Sequence, residues 1–148
     1  MPRLRDAALL MDAGVAALIC VHGHHAGRHL LTVLLGRPHG VHAEPLTCGI
    51  KLANFVDEVR RARIRLAAAT AEIAVGQSTG AVGTHASVPP DIEEHVCDGL
   101  KLTTAPVATQ VLARDRHASF VSALALLGAV PERLSTMVRL LQITEVDE

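Results

Sequence analysis

Gly36-Arg37-Pro38-His39-Gly40-Val41-His42-Ala43-Glu44-Pro45 separates two stretches of helical periodicity, and its reading decides the fold. Pro38 and Gly40 break regular structure on either side of His39. Glu44-Pro45 puts a carboxylate and a proline where a long helix is expected to start, so a loop is predicted from Gly36 to Glu44. A histidine on such a loop can present its ring to a cleft, as a general acid or base must. A loop histidine can also simply cap the helix that follows, and the local pattern leaves both roles open.

Working outward, Leu4, Ala8, Met11, Val15, Leu18 and Ile19 recur at helical spacing. They predict a helix from residue 3 to about 30, with Gly23 and Gly27 as points of disturbance. A second long helix is predicted from about Pro45 to Val75, with Ile50, Leu52, Ala53, Val56, Val59, Ile64, Leu66, Ala67, Ala71 and Ile73 as its apolar positions. Gly76 to Val88 is glycine-rich and aperiodic, which reads as a loop. Pro89-Pro90-Asp91 opens a short helix reaching about Gly99, with Glu93 and Glu94 suited to its positive end. A connection through Pro106 leads to a third long helix, about Thr109 to Val146, with Pro131 as a kink point. The sequence shows no sheet, repeat or low-complexity linker. The expectation is one all-α domain over residues 1–148, a bundle of long helices.

Composition agrees. Of 148 residues, 49% are hydrophobic but only 1% aromatic, namely Phe55 and Phe120. The core must therefore be built from Ala, Leu, Val and Ile, which suit close helix packing better than sheets. Fourteen Lys and Arg against fifteen Asp and Glu leave a formal charge of −1, so no global field draws the chain to nucleic acid or to an acidic membrane. Cys20, Cys48 and Cys97 are scattered and odd in number, and read as free thiols in a reducing cytoplasm. The apolar run from Ala7 to Val21 is interrupted by Asp12 and falls short of the ~20 residues a bilayer requires.

Three further stretches lie downstream: Thr79-Gly80-Ala81-Val82-Gly83-Thr84, Pro106-Val107-Ala108-Thr109-Gln110-Val111-Leu112-Ala113-Arg114-Asp115-Arg116-His117-Ala118, and Leu140-Leu141-Gln142-Ile143-Thr144-Glu145-Val146. In this order, with Gly36 to Pro45, they resemble the adenylosuccinate lyases of the fumarase/aspartase superfamily. The family's runs read G-R-T-H-G-x-H-A-E-P-T-T-F-G, S-G-A-V-G-T-Y-A, P-x-S-T-Q-x-x-x-R-D-R-H-A and L-Q-x-T-E-V. The resemblance covers essentially the whole chain and is weakest before Leu35. It implies a central domain of very long helices, a homotetramer, and active sites assembled from segments of three subunits.

The reaction it implies is a β-elimination that releases fumarate from succinyl-purine nucleotides (adenylosuccinate and SAICAR) without a cofactor. His39 matches the family's general acid. Glu44 is expected to hydrogen-bond backbone N–H groups at the helix start and to support His39, and His42 either to pack against that helix start or to contact substrate. Thr47 and Lys51, one turn apart, could face the cleft, with Lys51 toward a carboxylate or phosphate. Gly80 and Gly83 allow Thr79 to Thr84 either a tight turn or an approach of N–H groups to an anion, and the resemblance implies a substrate-adjacent loop with Thr84 on the substrate side. Thr109 and Gln110 match substrate-binding positions, with the amide and a helix N-terminus both favouring a carboxylate. Arg116, with Arg114, Asp115 and His117, is expected in an ion-pair network across helices. The chain departs from the family at Pro38 (threonine), Cys48 (phenylalanine), Gln77 (lysine) and His85 (tyrosine).

Two other clusters are set aside. Cys20, His22, His24, His25 and His29 point to different helix faces, whereas zinc needs about four convergent ligands, so no metal site is assigned. Arg60, Arg61, Arg63 and Arg65 lack interleaved aromatics and read as a solvated face.

The family's S-S-x-M-P-x-K-x-N-P run, whose serine serves as base, and its T-S-S-D element do not occur in these 148 residues. The isolated polypeptide is therefore expected to be a poor lyase. The alternative is a catalytically incompetent remnant, or a helical module that co-assembles with a full-length lyase. A cycloisomerase of the same superfamily is disfavoured by His42-Ala43-Glu44-Pro45 and by Thr109-Gln110 to His117.

Overall fold

The computed structural model describes residues 2–143 and Val146. Its elements are α1 (Pro2–Arg28), β1 (Val33–Leu35), β2 (Pro45–Thr47), α2 (Cys48–Ile73), β3 (Val75–Gly76), α3 (Pro90–Gly99), β4 (Thr103–Thr104) and α4 (Asp115–Leu141), with a 3-10 turn at Pro38–Gly40. The all-α expectation holds: three helices of 26 or 27 residues and one of ten carry the structure. α1 passes through Gly23 and Gly27, and α4 through Pro131, without interruption.

Three boundaries differ from the sequence reading. Short strands occur where no sheet was expected: β1 pairs antiparallel with β2, Leu35 opposite Pro45, and β3 pairs parallel with β4. These segments leave the helices with unpaired backbone groups, and the short ladders satisfy them. Pro45 consequently sits in a strand, and α2 starts at Cys48. Its first N–H groups are taken by Thr32 O (from Cys48, 2.8 Å), His29 O (from Gly49, 2.9 Å) and the Thr47 hydroxyl (from Ile50, 3.3 Å). Thr47 is thus the side chain that caps α2. α4 starts at Asp115, six residues after the Thr109 expected from the sequence. The carbonyls of Thr109 and Gln110 are engaged by side chains of the 77–79 segment and serve no helical bond. Thr144 and Glu145 of the last motif lie outside the described residues.

Two compact units make up the chain: Met1–Asp12 with Arg65–Leu124, and Ala13–Ile64 with Ala125–Glu148. The first buries Ala8, Leu66, Ala69, Ile73, Val75, Cys97, Leu102, Ala105, Phe120 and Ala123. The second buries Val15, Phe55, Val56, Val59, Ala62, Leu127 and Val130. Within it, Leu18 and His22 of α1, Phe55 and Val59 of α2, and Val130 and Leu134 of α4 converge on a gap of only about 10 Å³. Arg133 lies over the Phe55 ring at 4.4 Å and pairs with Glu58, adding a cation–π contact at the edge of this core.

From Val59 onward the buried positions of α2 (Val59, Ala62, Leu66, Ala69, Ile73) alternate in steps of three and four, a two-in-seven seam. That seam is narrower than the face read from periodicity, and it leaves Ile50 and Ile64 exposed at 62% and 69%. Both phenylalanines are buried, so the sparse aromatics serve the core.

Candidate active-site elements

The second unit carries the His39 hairpin. Gly36 N–H donates to Glu44 O and Ala43 N–H to Gly36 O, both at 2.9 Å, extending the β1–β2 ladder toward the tip. A Cβ on Gly36 would stand 2.7 Å from Glu44 O, so a bare α-carbon is required for this approach. At the tip, Gly40 N–H donates to Arg37 O and Val41 N–H to Pro38 O, both at 3.1 Å. These two bonds close a tight turn that forces His39 to φ +56° and Gly40 to φ +77°. Histidine tolerates this left-handed region better than most side chains, at a cost of about 1 kcal/mol. The His39 ring is exposed, with no hydrogen-bond partner among the described residues.

His42 Nε2 accepts from Arg37 Nη1 at 2.7 Å, because a guanidinium can only donate. Glu44 is exposed and contributes its backbone carbonyl to the ladder, while the capping role expected of it falls to Thr47. Lys51 is half-buried and lines a cavity of about 790 Å³ together with Pro38, Gly40, His42, Arg133 and Met137.

In the first unit the glycine-rich loop and the Thr109-Gln110 segment are brought together. Gln77 Nε2 donates to Gln110 O at 2.6 Å, and Thr79 Oγ1 donates to Thr109 O at 3.1 Å. Gly80 and Gly83 adopt φ +86° and +84°, and a Cβ on Gly83 would collide with the Ala108 carbonyl oxygen. Thr84, next in the chain, thus follows a glycine packed against the backbone of Ala108 and Thr109, and Thr84, Thr109 and Gln110 are all exposed. Because α4 begins five residues after Gln110, no helix N-terminus stands behind that amide. Arg116 forms no side-chain ion-pair network among the described residues. Its Nη1 donates to Glu72 O at 2.8 Å, capping a carbonyl in the last turn of α2, and Ser119 Oγ donates to Glu72 Oε2 at 2.7 Å.

Glu93 does more than complement the start of α3. It is buried at 4% exposure, and its Oε1 accepts from Ser78 N–H at 2.5 Å while Oε2 stands 3.5 Å from His85 Nε2. Its position four residues before Cys97 placed it on the buried face of α3, and that spacing was a readable signal. A cavity of about 390 Å³ adjoins the loop, lined by Gln77, Ser78, Val96, Cys97, Arg114 and His117. His117 Nδ1 is buried without a hydrogen-bond partner among the described residues. Burial, followed by the nearby charges of Glu93 and Asp98, pushes the Cys97 thiol above its ordinary range.

A bundle of long helices carrying a histidine hairpin and a glycine-rich loop is the fold of the fumarase/aspartase superfamily. Solved members superpose closely. The 3-carboxy-cis,cis-muconate lactonizing enzyme from Pseudomonas putida gives a TM-score of 0.92 at 32% identity, over 99% of this chain and 34% of that one. A fumarate lyase from Mesorhizobium sp. BNC1 gives 0.90 at 28%, over 97% of this chain and 34% of that one. Residues 6–148 match the family described as lyase, and the chain belongs to it. The adenylosuccinate lyase of Staphylococcus saprophyticus is 42% identical over 145 residues, 98% of this chain and 34% of that protein. The chain thus spans about a third of the length of the relatives it matches.

Proposed function

We propose that this chain forms part of a carbon–nitrogen lyase that eliminates fumarate from the succinyl-purine nucleotides adenylosuccinate and SAICAR. The observation that carries the reading is 42% identity to an adenylosuccinate lyase across 98% of the chain, against 32% to the muconate lactonizing enzyme. The shared fold accommodates both chemistries and does not choose between them.

In the elimination, a base takes the proton from the carbon beside a carboxylate. That electron pair becomes the fumarate double bond, the C–N bond breaks, and an acid protonates the departing nitrogen. The acid must reach the nitrogen with its own proton uncommitted, and His39 suits this: its turn is held by backbone bonds, leaving the ring exposed. Such a proton transfer contributes ~10²–10⁴-fold. Thr84, Thr109 and Gln110, all exposed, supply polar groups for a substrate carboxylate, and Lys51 a cation for a carboxylate or phosphate. The serine run that provides the family's base is not among these 148 residues, so the polypeptide on its own turns over poorly.

The partners in this reading are further helices, from second copies or from a full-length lyase in the cytoplasm, as in a tetramer. α4 supports it. The helix is long and apolar enough to cross a membrane by length and composition, and only 17% of its most apolar stretch is buried. Val121, Leu126 and Leu140 on it are more than half exposed, and Glu132, Arg133 and Arg139 punctuate it. An apolar face of that extent suits an interface between helices.

Fumarate release is the test, from the purified chain alone and mixed with a lyase bearing the serine run. Little turnover alone, with co-purification and gain of activity in the mixture, is expected. Ordinary turnover by the chain alone would remove the dependence on the serine loop. Inertness toward succinyl-purines in every assembly would remove the substrate class.

A further inference from the structure

We propose that Glu93 is a positioning residue that holds both ends of the Ser78–His85 loop and thereby sets Thr84 for substrate; this rests on the lyase reading above. The carboxylate reaches the two ends separately. Oε1 accepts the Ser78 backbone N–H at 2.5 Å, and Oε2 stands at ion-pair distance, 3.5 Å, from His85 Nε2. From within the loop, His85 N–H donates to Thr79 O at 2.9 Å, and His85 Nδ1 lies 3.1 Å from Val88 O. The segment between contains three positive-φ residues, Gly80, Gly83 and His85, so its shape is not one the backbone adopts unaided.

A buried carboxylate is costly unless hydrogen-bonded and paired, and an apolar residue would fill the same site on α3 at less expense. The acid's favourable place near a helix N-terminus does not explain its burial, since Asp91 and Glu94 stand near the same end exposed. What the carboxylate alone supplies is two oxygens, one for each end of the loop. His85, where the family carries tyrosine, gives the second oxygen a donor when its ring is protonated, since its Nδ1–H faces the Val88 carbonyl.

The test compares Glu93→Ala and Glu93→Gln by amide hydrogen exchange in the 148-residue chain, and by kcat and KM in the lyase assembly that turns over succinyl-purine. In Glu93→Ala, exchange at Ser78 and His85 should rise at least about tenfold, with the amides of α2 unchanged. Glu93→Gln, whose amide oxygen can still accept, should keep Ser78 protected while His85 loosens. KM should rise about tenfold in Glu93→Ala, with Glu93→Gln between it and wild type and kcat much less affected. Unchanged loop exchange in a folded Glu93→Gln and Glu93→Ala pair overturns the proposal. So does loosened exchange with KM unmoved, which would make the contact purely structural. The exchange arm needs no substrate, so a failure of the lyase reading would show as inert wild type with the brace intact.

Discussion

Gly83 sets its bare α-carbon against the carbonyl of Ala108, and that contact brings the glycine-rich loop onto the backbone of Ala108 and Thr109. Two segments more than twenty residues apart in sequence approach this closely because a side chain is missing at one position. The Gln77–Gln110 and Thr79–Thr109 bonds then fix the register.

Replacing Gly83 with alanine should therefore cost far more than the same change at Gly80. Both have positive φ, but a Cβ at Gly80 meets open space. We expect about 1–2 kcal/mol for Gly80→Ala, the left-handed penalty alone, and about 3 kcal/mol or more for Gly83→Ala, which adds a backbone clash. Urea denaturation midpoints of the two variants measure the difference, and equal midpoints would show that the contact is not tight.

His39→Asn keeps a residue that tolerates the left-handed turn while removing the proton donor. In the active assembly kcat should fall ~10²–10⁴-fold. The melting temperature of the chain should stay close to wild type. A kcat within about twofold of wild type would take the proton transfer away from His39.

The Cys97 thiol gives a pH dependence. Its ionisation is held above the ordinary 9.0 by burial and neighbouring carboxylates. Below pH 9 the folded and unfolded states both keep the proton, and this contribution is fully present. As pH rises beyond that, the unfolded thiol ionises first and stability falls, by at most about 1.4 kcal/mol per pH unit, until the folded thiol also ionises. Unfolding at pH 7.5 and pH 10 should show a smaller drop in Cys97→Ala than in wild type. Equal drops would place the loss elsewhere.

Arg116→Met keeps most of the aliphatic stem and removes the cap on the Glu72 carbonyl. A loss of about 1–2 kcal/mol is expected, because an acceptor in the last turn of α2 is left without its charged donor. Thermal unfolding reads this directly. Unchanged stability would mean that water replaces the guanidinium without loss.

Periodicity alone determined that Leu4 to Ile19 and Val56 to Ile73 are helical, since a 3.6-residue repeat of apolar side chains is a local property, and the sequence also called for a long helix after Pro106. The four ordered motifs likewise fixed the family. Tertiary structure decided the boundaries: Pro45 went into a strand because Leu35 pairs with it, and Thr109 stayed out of α4 because its carbonyl is bonded to Thr79. It also turned Glu93 inward, moved the cap from Glu44 to Thr47, and gave Arg116 a backbone carbonyl in place of a carboxylate. Each of these depends on which hydrogen-bond partner a distant segment delivers, and no one-dimensional pattern contains that information.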